Sequence, residues 1–222
     1  MSSSIIEIKN ICYSRIDNLG FKKNIIESVS FNIVGGKITS FLYREKVRQE
    51  ILLKIIAGLI KPDSGEVSSD KRIIYIPSEP SSLPWLNVKE NILYNLRNVN
   101  NEKFQKIIQL VGLTGYDEHR PHNKSTGFRF RIALARALMN GGNVIVLENP
   151  FSNMDSLTKK ECTVLIKKVN SSGVSIVFST TNILDAIDLA DDNFVITSSG
   201  NIEKINIDNS NEENILKVKN IL

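Results

Sequence analysis

Residues 124–155 read KSTGFRFRIALARALMNGGNVIVLENPFSNMD, and the change of pattern within them decides the fold class. Phe128, Ile132, Ala135 and Met139 recur at i, i+4, i+7 and i+11, one face of an amphipathic helix. Arg129 and Arg136, seven apart, share another face. Gly141-Gly142 ends the helix, because glycine accepts the left-handed conformation of a helix stop. Val144–Leu147 is then a short apolar run without polar alternation, which predicts a strand covered on both faces, as in a parallel sheet. It runs into Glu148, and ligand chemistry in open α/β sheets lies at such carboxyl ends.

The 222 residues suffice for one α/β domain with a sizeable core. The net charge is +4, but the basic residues are scattered without aromatic interleaving, which argues against a nucleic-acid partner. Cys12 and Cys162 alone give no disulfide framework and fit a reducing compartment. MSSSIIEIKN lacks the apolar stretch of a signal peptide, and no apolar run reaches spanning length. Any membrane association is therefore expected to go through a partner.

RFRIALARAL, followed by VIVLENP and FSNMD, resembles the second half of the ATP-binding subunits of ABC transporters, where an R-Q-R-V-A-L-A-R-A-L helix leads to a strand ending D-E-P and a loop ending L-D. The resemblance covers almost the whole chain. It implies an α/β, P-loop NTPase-like fold with a mostly parallel sheet, an N-terminal antiparallel β element and an inserted helical subdomain at about 87–140, within a single domain of residues 1–222. It also implies ATP and Mg²⁺ as cofactors, and as partners a membrane-embedded permease and a second ATPase subunit. The location implied is the cytoplasmic face of a membrane.

The N-terminal residues fit that frame. Ile5–Ile11 and Val29–Val34 alternate as strands, and Gly35-Gly36 reads as a hairpin turn into a strand over Lys37–Leu42. In the family an aromatic residue near Tyr13 stacks on adenine; here Arg15 aligns there, able to stack or simply to sit at the surface. The phosphate loop, G-x-x-x-x-G-K-[ST] in the wider class, should occupy Tyr43–Glu50, which instead reads YREKVRQE. Glycines that let backbone N–H groups wrap phosphates give way to Tyr43, Lys46 and Arg48. The phosphate-binding lysine aligns with Gln49, and the Mg²⁺-ligating hydroxyl with Glu50. These residues favour an early helix start, with Val47, Ile51, Leu52, Ile55, Ile56 and Leu59 as its buried face; an anion site of Arg44, Lys46 and Arg48 is the functional alternative.

PSEPSSLPWLNVKENI keeps the family's F-Q-E-P-A-L-L-P-W-L-T-V-L-E-N-V except at the water-placing glutamine, which aligns with Ser78. The resemblance makes Glu79, Pro80, Trp85 and Leu86 candidates for docking on the permease, against a reading in which Pro84 and Trp85 only brace a loop. Asn87–Leu113 reads as helical. In RPHNKSTGF, Ser125 and Gly127 match the segment that binds the nucleotide held by the other subunit; Ser125 is equally a candidate helix N-cap. Neither His119 nor His122 has a second metal ligand nearby in sequence, so no metal site is assigned.

At the strand exit Glu148 retains a carboxylate, while Asn149 replaces the glutamate that polarises water. Asp155 matches an interface aspartate or caps the next helix, Ser156–Val169. After strand Val174–Phe178 the γ-phosphate-sensing histidine aligns with Thr181. A hairpin of Phe194–Thr197 with Ile202–Ile207 and a last helix capped by Ser210 and Glu213 complete the reading. Framework segments survive and nucleotide-handling residues do not. The expectation is a catalytically inactive homologue acting as the silent partner in a heterodimer. An atypical active ATPase supported by Glu148, Ser125 and Gly127, or a non-transport scaffold, are the alternatives. The look of LPWLNVKENI and PHNKSTGF points within the family to nitrate-, sulfonate- or taurine-type importers.

Overall fold

The computed structural model describes residues 4–79, 82–122, 124–197 and 200–207. β1 (Ser4–Ile16), β2 (Lys22–Val34) and β4 (Ser64–Ser68) form an antiparallel sheet of order β2-β1-β4. A second sheet has order β5-β6-β7-β3-β8-β9, from β3 (Ile38–Tyr43), β5 (Ile73–Ile76), β6 (Val144–Leu147), β7 (Ser175–Thr180), β8 (Asp192–Ile196) and β9 (Ile202–Ile205). Its first five strands run parallel, and β9 pairs antiparallel with β8. The α/β class, the parallel sheet and the antiparallel N-terminal element are thus as expected.

The turn at Gly35-Gly36 is not a hairpin. β2 belongs to the antiparallel sheet, whereas β3 lies between β7 and β8 in the parallel one. Every residue of β3 is buried, which demands cover on both faces and rules out a half-solvated hairpin arm. Gly36, at φ +75, turns the chain from one sheet to the other. The real hairpin joins β1 to β2 through Asp17–Phe21.

Helix α1 (Lys46–Ile56) follows β3. Its buried face contains Ile51, Leu52, Ile55 and Ile56 as expected, but Val47 and Leu59 are exposed, and Leu53 and Gln49 are buried instead. Val47 sits in the open first turn, and Leu59 follows the helix end, beyond Gly58 at φ +71, so neither shares the buried stripe. The stretch 87–113 is two helices, α2 (Val88–Leu93) and α3 (Asn101–Val111), broken where Asn95 adopts φ +65. Asn87 and Glu90 close a capping box on α2. α4 (Thr126–Met139), α5 (Ser156–Ser171) and α6 (Ile183–Leu189) complete the helices described.

One core cluster joins α2, α3, α4 and α5 to one face of the parallel sheet, with Phe104, Phe130 and Phe178 fully buried in it. A second holds the antiparallel sheet and α1 against the other face, where the rings of Phe31, Phe41 and Phe194 meet at centroid distances of 5.3–5.5 Å. No helix among the described residues is long and apolar enough to cross a membrane. The capping pair Ser210 and Glu213 lies outside the described residues.

Candidate functional site

The site lies at the carboxyl ends of β3, β6 and β7. Between the end of β3 at Tyr43 and the start of α1 at Lys46 lie only Arg44 and Glu45. The strand passes directly into the helix, with Glu45 as an N-cap residue whose side chain makes no cap bond. Gln49 is 0% exposed, and neither its amide nitrogen nor its oxygen has a hydrogen-bond partner. Glu50 is engaged by Lys54 at 2.5 Å, one helical turn on.

Of the three cations proposed as an anion site, Arg48 is withdrawn from that role. Its Nε donates to Glu45 at 2.9 Å and its Nη1 to the Ile25 carbonyl at 2.6 Å, bracing α1 against β2. A Cβ at Gly200 would lie 2.3 Å from Arg48 Nη1, so that turn is packed directly on the guanidinium. Arg44 and Lys46 remain exposed. Arg15 is exposed too, pairing with Lys23 across the β1–β2 ladder, and both border an open cleft of about 550 Å³ against Lys46 and Val47. Tyr13 instead packs partly buried on the apolar cluster between the sheets.

Glu148 is buried at the end of β6, and its carboxylate already has a partner. The Tyr75 hydroxyl, from the neighbouring strand β5, donates to Oε2 at 2.6 Å, and the Ser78 N–H approaches the same oxygen at 3.4 Å. Burial pushes the Tyr75 hydroxyl well up, reinforced by its hydrogen bond to Glu148 and by the charges of Glu148 and Glu50. It therefore stays protonated and keeps donating. Tyr43, raised by burial and then by Glu148, presents a second neutral hydroxyl near the same carboxylate. Asn149 takes φ +38, a conformation asparagine tolerates, and its N–H donates to Ser179 Oγ at 3.0 Å. Thr181 is exposed, while its neighbour Thr180 is buried and bonded to Asp185 at 2.9 Å.

At the start of α4, Ser125 Oγ accepts from the Phe128 N–H at 3.3 Å, a helix N-cap. Asp155 similarly accepts from the N–H groups of Leu157 and Thr158 and from the Thr158 hydroxyl, capping α5. These bonds, the hydroxyl's first, hold its carboxyl below the ordinary value. Gly127 has a packing reason to be glycine: an added Cβ would lie 2.4 Å from Thr158 Cγ2. The three residues stand at the amino ends of two adjacent helices, with Gly127 and Thr158 forming the contact between them.

The segment before α2 is tied down by Asn91. This fully buried amide donates to the carbonyls of Leu83, Leu86 and Asn87, each at 3.0 Å, and accepts from the Leu83 N–H and Arg136 Nη2 at 2.8 Å. Arg136 Nε adds a 2.7 Å bond to the Asn91 carbonyl. The loop is thereby fixed to α4, with Trp85 66% exposed, Leu86 half-buried and Glu79 exposed. Pro80 lies outside the described residues. A groove of about 310 Å³ runs between the β5 edge and α4, bordered by Tyr75, Pro77, Tyr94, Ala133 and Arg136.

Sequence reasoning missed Tyr75, because nothing in IIYI announces which neighbour its hydroxyl reaches. It also missed the hub role of Asn91, although Asn91 and Arg136 both lie in the segments that carry the resemblance.

An antiparallel sheet and α1 on one face of a parallel sheet, with α2, α3, α4 and α5 on the other, make up an ATP-binding cassette architecture. Solved cassettes agree in fold. An ATP-binding cassette of an ABC transporter in its ADP conformation gives a TM-score of 0.83 at 18% identity, covering 99% of this chain and 97% of that one. A dimeric cassette bound to ADP and Pi gives 0.77 and 22%, covering 91% and 100%. The ABC transporter family profile matches residues 50–152, beginning at Glu50 in the first turns of α1. An aliphatic sulfonates import ATP-binding protein from Shouchella clausii is 31% identical over 183 residues, 78% of this chain and 71% of that protein. A taurine import ATP-binding protein from Burkholderia thailandensis is 28% identical over 187 residues, 78% of this chain and 72% of the relative. The chain belongs to the family of ABC transporter ATP-binding proteins.

Proposed function

We propose that this chain is the ATP-binding-type subunit of an importer for small sulfonated solutes, held at the cytoplasmic face of a membrane by its permease, and that it is the silent half of a heterodimer. The solute class rests on the sulfonate and taurine importers among its relatives. The silence rests on one observation: only Arg44 and Glu45 separate β3 from α1, where the family places a phosphate loop.

Mg-ATP does not fit the residues present. No loop of glycines wraps a triphosphate. At the place of the phosphate-binding lysine stands a neutral amide sealed from solvent, and at the place of the Mg²⁺-ligating hydroxyl stands an anion paired with Lys54. Glu148, the retained strand-end carboxylate, is occupied by Tyr75. Asn149 cannot accept the proton of an attacking water. No step of hydrolysis is therefore assigned to this chain.

What it offers is the amino end of α4. The N–H groups of a helix's first turn carry partial positive charge and point along the axis, an arrangement that suits the phosphates of a nucleotide held by a partner subunit. Ser125 and Gly127 stand there, Lys124 adds charge of the right sign, and Asp155 lies at the adjacent helix start.

The test is turnover by a reconstituted complex with the permease and a competent second ATPase subunit. Gly127 is unsuitable for substitution because of Thr158. Ser125→Asp retains an N-cap oxygen, so α4 is kept, but sets a negative charge against the partner's nucleotide. Turnover should fall at least about tenfold, the scale of a 1.4 kcal/mol loss. Ser125→Ala should fall less. Unchanged turnover with Ser125→Asp, or assembly only into homodimers, contradicts the heterodimer reading and leaves a scaffold.

A further inference from the structure

The β1–β2 hairpin ends in an apolar tip. Ile16 is 68% exposed, Leu19 80% and Phe21 68%, three large apolar side chains within six residues of chain. Single exposed apolar residues are ordinary; a cluster at the end of a projecting element is not. The tip is also ordered. The Asp17 carboxylate accepts from the N–H groups of Leu19 and Phe21, each at 2.9 Å. The Asp17 N–H donates to the Phe21 carbonyl at 2.9 Å, and the Gly20 N–H to the Asp17 carbonyl at 3.0 Å. Gly20, at φ +85, closes the turn. These bonds consume Asp17 and fix the loop with its apolar residues outward.

Behind the tip lies a collar of cations. Arg15 and Lys23 face each other across the ladder, Lys22 is opposite Ile16, and Lys46 borders the same cleft from the start of α1. Among the described residues, Arg15, Lys23 and Lys46 have no ion-pair partner. Glu45, the other acid bordering the cleft, is paired with Arg48. Lys22 lies toward Asp63, whose carboxyl is held low mainly by Ser14. The surface is thus positive around an apolar point.

We infer that this hairpin tip touches an anionic lipid surface directly: Leu19, Phe21 and Ile16 enter the interfacial region while Arg15, Lys22, Lys23 and Lys46 meet lipid phosphates. An apolar wedge ringed by cations gains from both terms of interfacial binding, apolar burial and attraction to the negative headgroup layer. Basic side chains can reach headgroups while their stems follow apolar surface. This contact adds to the permease-mediated attachment and does not depend on it.

The test is flotation of the isolated full chain with vesicles of phosphatidylcholine alone or mixed with phosphatidylglycerol. Binding is expected to the anionic vesicles, to weaken at high salt, and to be weaker on the neutral ones. Leu19→Ser with Phe21→Ser, and separately Arg15→Glu with Lys23→Glu, should each reduce the bound fraction at least about tenfold. Lys167→Glu with Lys168→Glu, exposed on α5, should leave it unchanged. No flotation of the wild-type chain, equal binding to both vesicle types, or an equal loss with the α5 pair overturns the inference. The first of these would mean that the tip seats on a protein instead.

Discussion

Asn91→Ala is expected to destabilise the protein by about 3 kcal/mol, as each buried group left unmet costs about 1–3 kcal/mol. The amide makes five hydrogen bonds from a fully buried position, four of them to the backbone of the loop before α2. Truncation leaves the Leu83 N–H and the Leu86 carbonyl without this partner, whereas the Asn87 carbonyl keeps the Asn91 N–H and the Leu83 carbonyl the Leu86 N–H; it also takes from Arg136 the side-chain oxygen it meets at 2.8 Å. Burial already lowers the Arg136 guanidinium somewhat from its ordinary value, so losing a polar neighbour matters there. Asn91→Asp should not rescue, since its carboxylate would face the same three carbonyls. Urea unfolding measures the effect; a loss below about 1 kcal/mol would mean that the loop holds without its hub.

The second large effect follows from what that hub presents. Trp85 stands 66% exposed on a loop fixed to α4. An exposed tryptophan on a rigid support is the kind of residue that dominates an interface, with about 2 kcal/mol or more lost on truncation. Trp85→Ala should therefore weaken association with the permease about thirtyfold while leaving the unfolding midpoint of the isolated chain nearly unchanged. Leu86→Asp should act in the same direction. Co-purification with the permease reads the first effect and urea unfolding the second. Unchanged co-purification would move the contact elsewhere, the groove beside β5 and Tyr94 being the next surface to probe.

Much of the architecture was legible because local pattern and global role agreed. Of the face read on α4, Ile132, Ala135 and Met139 are buried and Phe128 is half-buried, and all four residues of β6 are buried between two parallel neighbours. The misreadings have physical causes. Gly35-Gly36 carries a hairpin's local chemistry, yet the pairing of β3 is decided by distant β7 and β8. The apolar period of α1 runs on to Val47 and Leu59, but the helix has too few turns to bury either, and Gln49 goes inside in their stead. In the site, the residues that differ from the family pattern were visible one by one. What replaced them was not: the contact of Tyr75 with Glu148 depends on the register of β5 against β6. The packing need for glycine at 127 likewise depends on Thr158 of α5, far along the chain.

The proposal that this chain is silent turns on whether the start of α1 can hold a nucleotide. Titration calorimetry of Mg-ATP into the isolated protein measures that directly. With Arg44 and Glu45 as the whole connection, Gln49 sealed and Glu148 bonded to Tyr75, the expected result is no saturable heat below about 1 mM ATP, a binding free energy weaker than about −4 kcal/mol. Saturable binding at micromolar ATP, about −8 kcal/mol, would contradict the account and make the chain an atypical but working ATP-binding subunit.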